Sequence, residues 1–138
     1  MNKIIFDSQT MKIIMLFSNI TQVDAKDCVL EPERIIFIVP EHQISKAVGK
    51  SGANVRRLEE ALKRKLKIVE FNSDVKEFTR NLIYPAKAKD IVEHDGELTI
   101  TSPDFETRGY LIGRSAHQLH SFESVIKRHF PISKLKVV

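Results

Sequence analysis

Apolar residues recur at helical spacing on both sides of a short glycine-containing segment near the middle of the chain. Before this segment, Ile44, Ala47 and Val48 stand at positions i, i+3 and i+4. After it, apolar residues recur every three or four positions, at Val55, Leu58, Leu62 and Leu66. Spacing of this kind is typical of amphipathic helices. The pattern therefore predicts two helices joined by a loop at residues 49–52, the first of them beginning at Pro40.

Strands are predicted on both sides of this unit. Residues 34–39 are too apolar for a strand exposed on both faces, and residues 67–71 predict a second strand. Upstream, Asp7 or Ser8 can cap a helix to about residue 19, followed by a predicted strand at residues 21–30. Because Met11 and Met15 lie on one face of that helix and Phe17 lies on a second apolar face, we expect it to be covered on two sides.

The whole pattern occurs a second time, 64 positions later. The loop residues correspond pairwise: Gly49 with Gly113, Lys50 with Arg114, and Ser51 with Ser115. The clear difference is Ala116, which stands where the first loop has Gly52. Beyond the loop, both the apolar spacing and the charged positions are repeated. The chain therefore contains a duplicated module.

The second copy has its own signals for each element. Residues 72–74 break the chain and cap a helix to about residue 83, which stops before Pro85. Residues 87–93 and 97–101 form a predicted hairpin around an Asp-Gly turn. Helices are predicted from residue 104 to Gly113 and over 116–129, followed by a strand at 132–138. Each copy thus has the order helix, strand, strand, helix, loop, helix, strand.

This order predicts an α+β fold of two domains, residues 1–72 and 73–138, each with a three-stranded sheet and helices packed on one face. Modules of about 65 residues bury little surface and are marginal alone. The boundary near Asn72 contains no flexible linker. We therefore expect the two modules to pack together as one rigid unit.

Charge is distributed unevenly along the chain. Residues 35–71 carry eight Lys/Arg against four Asp/Glu, and residues 107–138 carry six against one. Residues 72–106 have the opposite balance, four against eight. Positive charge therefore concentrates on the two loop–helix segments, as expected of a surface that binds a polyanion. Two solvated helix faces on a mildly basic protein are the plainer alternative.

Composition excludes several other classes. Cys28 is the only cysteine, so neither an internal disulfide nor a cysteine metal cluster is expected, and a buried strand position suits it. No apolar run approaches the roughly 20 residues of a membrane span. We expect a cytoplasmic protein that needs no cofactor and no membrane.

Enzyme and metal chemistry find little support. His117, His120 and Glu123 share one helix, but the first copy has Ala53 and Arg56 at the two histidine positions, which weakens a metal hypothesis. A Walker-type nucleotide loop would need a glycine where Ile44 stands. No base lies beside the loop serines or Cys28 in sequence, and His42, His94 and His129 are interpreted as surface residues. We predict that the protein is not an enzyme.

The loops themselves favour phosphate binding. A tight loop that opens a helix presents backbone N–H groups at the positive end of the helix dipole, beside Lys50 or Arg114. Gly49 is expected in a left-handed conformation, and Gly52 is expected to admit a close backbone. The alternative is that the glycines only satisfy turn geometry.

Taken with the repeat, these features resemble the KH family of RNA-binding domains, marked by a G-x-x-G loop between two helices beside a three-stranded sheet. The order of elements is similar to the type II, prokaryotic variant. Two such modules in tandem resemble the short archaeal form of the NusA transcription termination and antitermination factors. The residues that carry the resemblance include no counterpart of the polymerase-binding and S1 domains of the bacterial relatives. The functions of those two domains are therefore not expected here.

The resemblance implies single-stranded RNA as the partner, namely nascent transcript, with RNA polymerase or other transcription factors as further partners. Implied phosphate contacts lie in the first loop and its flanks, at Lys46, Gly49, Lys50, Ser51, Gly52, Arg56 and Arg57. Those of the second module are Arg108, Gly113, Arg114 and Ser115. A ribosome-associated or ribosome-assembly KH protein, and a KH-fold protein-interaction module without RNA binding, remain alternatives.

Overall fold

The computed structural model describes residues 4–138, which divide into two units, Ile4–Asn72 and Ser73–Val138. The elements of the first unit are α1 (Ser8–Thr21), β1 (Asp27–Leu30), β2 (Ile35–Val39), α2 (Ile44–Val48), α3 (Ala53–Leu62) and β3 (Leu66–Glu70). Those of the second are α4 (Val75–Ile83), β4 (Asp90–His94), β5 (Glu97–Thr101), α5 (Phe105–Ile112), α6 (His117–His129) and β6 (Lys134–Val137). A single 3₁₀ turn separates the two helices at each loop, over Lys50–Gly52 and Arg114–Ala116.

Both units contain a three-stranded sheet of the same topology. In the first, β2 lies in the centre, antiparallel to β1 and parallel to β3, with Phe37 opposite Cys28 on one side and Ile68 on the other. In the second, β5 takes the central place between antiparallel β4 and parallel β6. These sheets and helices confirm the predicted α+β class and the α-β-β-α-α-β order of each copy.

Aspartate caps begin three of the helices. The side chain of Asp7 accepts a hydrogen bond from the N–H of Thr10 at 2.8 Å, and Asp104 accepts one from Thr107 at 2.6 Å. Asp74 caps α4 in the same way. Each carboxylate satisfies an N–H group that the first helical turn leaves without a partner. The caps fall where the sequence predicts them.

The two largest errors in the predicted boundaries lie in the first unit. The strand expected at residues 21–30 is only Asp27–Leu30, because α1 continues to Thr21, whose hydroxyl donates to the carbonyl of Phe17 at 2.8 Å. The helix expected from Pro40 begins at Ile44, since the N–H of Gln43 donates to the Pro40 carbonyl in a preceding turn. In both places a local hydrogen bond decides the boundary, and apolar spacing carries no signal of it.

The central strand of the first sheet is buried on both faces, as predicted. All five residues of β2 are at most 1% exposed. Phe37 stacks on Phe17 of α1 with ring centroids 4.3 Å apart, which fixes the helix against the sheet. Met11 and Met15 of the same helix are 48% and 62% exposed, so the expectation that α1 is covered on two sides is wrong for that face.

In the second unit, His129 is a core residue and not the surface residue expected from sequence. It ends α6 only 7% exposed, with its ring 5.8 Å from that of Phe78. The ring of Phe130, the next residue, lies 5.4 Å from the same phenylalanine. These contacts join α4 to the end of α6 and position the last strand.

Matched glutamates join a helix to the third strand in both units. Glu59 of α3 accepts a hydrogen bond from the N–H of Leu66 at 3.2 Å, and Glu123 of α6 accepts one from the N–H of Leu135 at 2.8 Å. A hydrogen bond from an N–H group to a charged carboxylate is stronger than a hydrogen bond between neutral groups. The repeat of this acidic position therefore has a structural cause, and Glu123 is engaged in the fold.

Lys67 in β3 is a half-buried ammonium. Its pKa is lowered from near 10.5 to about 8, chiefly by burial and then by the charge of Arg34, while Glu31 opposes the shift. Because the folded pKa is the lower one, the unfolded state binds more protons between about pH 8 and 10.5, and stability rises with pH across that window.

We therefore expect Lys67→Met to raise the free energy of unfolding by about 1–3 kcal/mol at pH 7. The gain should shrink when urea unfolding is repeated at pH 10, because the wild-type ammonium is then largely neutral. Lys65→Met, at an exposed neighbouring position, is the control and should change little. A gain that is equal at both pH values would contradict the charge explanation.

Candidate nucleic-acid interface

Local backbone geometry shapes the first loop. Helix α2 ends at Val48, and the φ of 80° and ψ of 167° at the next residue, Gly49, turn the chain sharply away. Ser51 and Gly52 follow in the left-handed region, with φ values of 55° and 74°, and α3 begins directly after them. The N–H of Gly52 donates to the Gly49 carbonyl at 3.1 Å and closes the turn.

The second loop has the same backbone geometry. Gly113, Ser115 and Ala116 have φ values of 75°, 53° and 60°. The N–H of Ala116 donates to the Gly113 carbonyl at 3.3 Å, which is the counterpart of the first turn. An alanine in the left-handed region is strained by roughly 1–2 kcal/mol. Ala116 nevertheless holds the conformation that Gly52 has in the first loop.

The two glycines of the first loop have different functions from those expected. A Cβ on Gly49 would lie 2.9 Å from Cγ of Asn54, so the close approach occurs there. Around Gly52 only the guanidinium of Arg56 comes within 4 Å, and this glycine is needed for its positive φ alone. The prediction that Gly52 admits a close backbone is therefore wrong.

Asn54 is a loop residue that the sequence analysis missed. Its amide group donates to the carbonyl of Lys46 at 3.2 Å and ties the start of α3 to α2. Gln118 stands at the matched position in the second copy. A Cβ added to Gly113 would lie 2.8 Å from the Cβ of Gln118. Comparing the two copies for amide side chains next to each glycine loop would have found this pair.

Backbone donors are fewer than the sequence suggests. The N–H groups of Gly52 and Ala53 donate to carbonyls within the turn. Those of Lys50 and Ser51 remain as the candidate donors to an outside acceptor, next to the positive end of the α3 dipole. The loop therefore offers a small donor set at an exposed site.

The predicted cationic side chains point into solvent. Lys50 and Arg114 of the two loops are exposed, and so are their flanking residues Lys46, Arg56, Arg57 and Arg108. The serines beside them, Ser51 and Ser115, are exposed as well. Arg56 is also a structural residue, because its guanidinium donates to the Ser51 carbonyl at 2.5 Å. Exposed cations around each loop form a surface that can attract phosphates.

Half-buried apolar residues flank each loop. They are Val48 and Val55 in the first unit, and Ile112 and Leu119 in the second. None of the four is fully buried, so each is accessible in part while it supports the helix pair. Such positions suit the apolar floor of a groove in which bases lie against aliphatic side chains.

The other chemistry considered from sequence finds no structural support within residues 4–138. No three His, Cys, Asp or Glu side chains there are grouped as a metal site requires. Cys28 is 3% exposed in β1, which confirms its assignment as a buried strand residue. No described helix has the length and apolar character to cross a membrane.

Comparison with known proteins adds a family to this geometry. A family model described as the KH domain matches residues 12–77, which include the first glycine loop. A relative in Methanocaldococcus jannaschii, named probable transcription termination protein NusA, is 32% identical over all of this chain and 77% of its own length. Relatives of the same name in Thermoplasma acidophilum and Halococcus morrhuae are 24% and 25% identical and are covered over 97% and 99% of their lengths.

A solved structure is similar over most of the chain. The crystal structure of APE1850 superposes with a TM-score of 0.77, at 25% sequence identity, over 96% of this chain and 100% of that one. The family model covers the first loop–helix module, and the relatives match nearly the whole chain. The chain belongs to the archaeal NusA family of KH-domain proteins.

Proposed function

We propose that the chain is an RNA-binding protein that acts on nascent transcript in transcription termination or antitermination. Its two domains, residues 1–72 and 73–138, would each hold a few nucleotides of single-stranded RNA at the glycine loop. The name of the relatives, transcription termination protein, supports the process. RNA polymerase or other transcription factors are the further partners of this proposal.

The observation that carries this proposal is the identical backbone course of the two loops. Each places two adjacent left-handed residues between the helices and an exposed lysine or arginine at its tip. Strained left-handed conformations at Ser115 and Ala116 are retained although glycine would relieve them. A loop that served only as a turn would gain nothing from keeping this geometry and its cation together.

Phosphates lie along such a loop in this proposal, and bases contact the apolar flank. Lys50 and Arg114 supply the mobile charge, and Lys46, Arg57 and Arg108 add positive potential on the flanking helices. Three exposed aromatic side chains are present within the described residues, Tyr84, Phe105 and Tyr110, and no exposed ring stands within the loop residues 49–52 or 113–116. Aliphatic contact and backbone binding therefore suit the loops better than ring stacking.

The salt dependence of RNA binding tests this proposal. If about six phosphates are neutralised, the slope of log affinity against log salt should be near about −4, because each contact to a single strand contributes about −0.7. The measurement is a titration of a fluorescent random 12-nucleotide RNA between low and moderate salt. A duplex of the same length should bind more weakly. A slope near zero would contradict phosphate binding and favour a protein-interaction module.

Cofractionation separates the two RNA-binding alternatives. A NusA-like factor is expected to sediment with RNA polymerase after gentle lysis and crosslinking. A ribosome-associated protein would follow ribosomal particles and leave polymerase fractions empty.

A further inference from the structure

An open depression of about 470 Å³ lies on the second unit, beside the helix that leads to its glycine loop. It is lined by Pro85 and Ala86, which follow α4, and by residues of the first turns of α5, namely Asp104, Glu106, Thr107 and Tyr110. All of these residues belong to the unit Ser73–Val138. The depression is therefore a feature of one module.

One exposed aromatic residue lines this depression. Within residues 4–138, three aromatic residues are more than a third exposed: Phe105 at 85%, Tyr84 at 68% and Tyr110 at 46%. Tyr110 lines the depression, and the other two are chain neighbours of lining residues. Scattered single apolar residues are normal on a surface, whereas an exposed ring that lines a concave site is a feature of interaction sites.

The charge of the residues that line the depression indicates what kind of partner can bind there. The charged residues that line the depression are both acidic, Asp104 and Glu106. They lie in the segment 72–106, which carries four Lys/Arg against eight Asp/Glu. Carboxylates repel phosphates, so a nucleic acid is disfavoured here although aromatic rings could stack on bases. A cation is favoured, both by the carboxylates and by the faces of the tyrosine rings.

We propose that this depression docks a segment of a partner protein that carries an arginine or lysine beside an apolar anchor. The apolar anchor occupies the space between Pro85, Ala86 and Tyr110. The cation lies over a tyrosine face and pairs with Glu106, while Phe105 covers the segment from the solvent side. The depression, with its acidic lining, and the basic glycine loops would then bind two partners of opposite charge.

A peptide selection tests the proposal. A phage library of random 12-residue peptides is selected on the immobilised full chain, and the enriched peptides are synthesised and titrated. The enriched sequences should carry an arginine or lysine within about three residues of an aromatic or aliphatic residue. Phe105→Ser and Glu106→Lys should each weaken binding at least tenfold. Replacing the peptide's cation by glutamate should restore binding to Glu106→Lys.

Two control variants keep the result specific. Val92→Ser removes an exposed apolar side chain from β4 of the same unit and should leave peptide affinity unchanged. Lys50→Asp/Ser51→Asp alters the first loop and should also leave it unchanged. Circular dichroism of each variant checks that it is folded. The side chains altered at positions 105, 106 and 92 are exposed.

Four outcomes would overturn the proposal. One is that no peptide is enriched, and another is that enriched peptides lack a cation or bind the variants as well as the intact chain. A third is loss of binding to the random 12-nucleotide RNA in Phe105→Ser, which would assign the depression to nucleic acid. The fourth is a dimer in sedimentation that Phe105→Ser abolishes, which would assign it to a second copy of this chain.

Discussion

Reversing the charge of either glycine loop should weaken binding to a randomised single-stranded RNA pool by roughly 10- to 100-fold. The variants are Lys50→Asp/Ser51→Asp and Arg114→Asp/Ser115→Asp. A hydrogen bond to a charged group contributes about 1.5–3 kcal/mol, and about 1.4 kcal/mol corresponds to a factor of ten. Aspartate tolerates the left-handed backbone of Ser51 and Ser115, so the loop should keep its shape. Fluorescence anisotropy at moderate salt measures the affinities.

A matched control separates local contact from net charge. Ser73→Asp/Lys76→Asp changes the net charge by the same amount at exposed positions around the start of α4, and should reduce affinity by less than about threefold. If both loop variants lose binding, the two loops act on RNA together. Loss of binding in the Lys50→Asp/Ser51→Asp variant alone would mean that the second loop does not bind RNA. Unchanged affinity in both would contradict RNA binding through the loops.

Gly49→Ala and Gly113→Ala should each lower the free energy of unfolding by about 2–5 kcal/mol, because two costs add. The φ of 80° and ψ of 167° at Gly49 belong to a region that essentially only glycine adopts. The new Cβ would also lie 2.9 Å from Asn54, or 2.8 Å from Gln118 in the second loop. Urea unfolding followed by circular dichroism measures the change.

Substitutions at the fourth loop position serve as the matched control. Gly52→Ala should cost only about 1 kcal/mol, since Ala116 already holds the same conformation without a clash. Ala116→Gly should recover a similar amount. Equal costs at Gly49 and Gly52 would show that the close approach to Asn54 does not constrain the loop.

The repeated helix–loop–helix unit could be predicted because its signal is written in apolar spacing. Leu58 and Phe122 lie at corresponding positions in the two copies, and both are completely buried. The Asp-Gly turn between β4 and β5 and the aspartate caps were equally visible, since short-range backbone chemistry determines them. The fold class and the family follow from these local signals.

Features that depend on the packing of distant residues could not be predicted in this way. His129 is polar and ends a helix, yet it is buried against Phe78, which lies 51 positions earlier in the chain. The bond from the N–H of Leu66 to Glu59 crosses from a strand to a helix, and no spacing rule indicates it. Neither contact has a sequence signal until the elements are brought together.

The candidate site shows the same division. The glycines, serines and cations of the loops could be named from sequence, whereas the reason for each glycine could not. Only the structure shows that a Cβ at Gly49 would lie too close to Asn54 and that Gly52 is needed for its positive φ. Ala116, the clear difference between the two loops, keeps the left-handed backbone that Gly52 has in the first, while RNA binding at the second loop stays a prediction. Rigid packing of the two modules stays a prediction as well.

Mapping of the RNA contact by ultraviolet crosslinking tests the central claim most directly. The intact chain is irradiated with a uniformly 4-thiouridine-labelled single strand, and the adducts are located by mass spectrometry of its peptides. The account predicts adducts within residues 44–57 and 108–121, which contain the two loops and their flanking helix turns. Adducts confined to other segments, or to the acidic stretch 72–106, would contradict it.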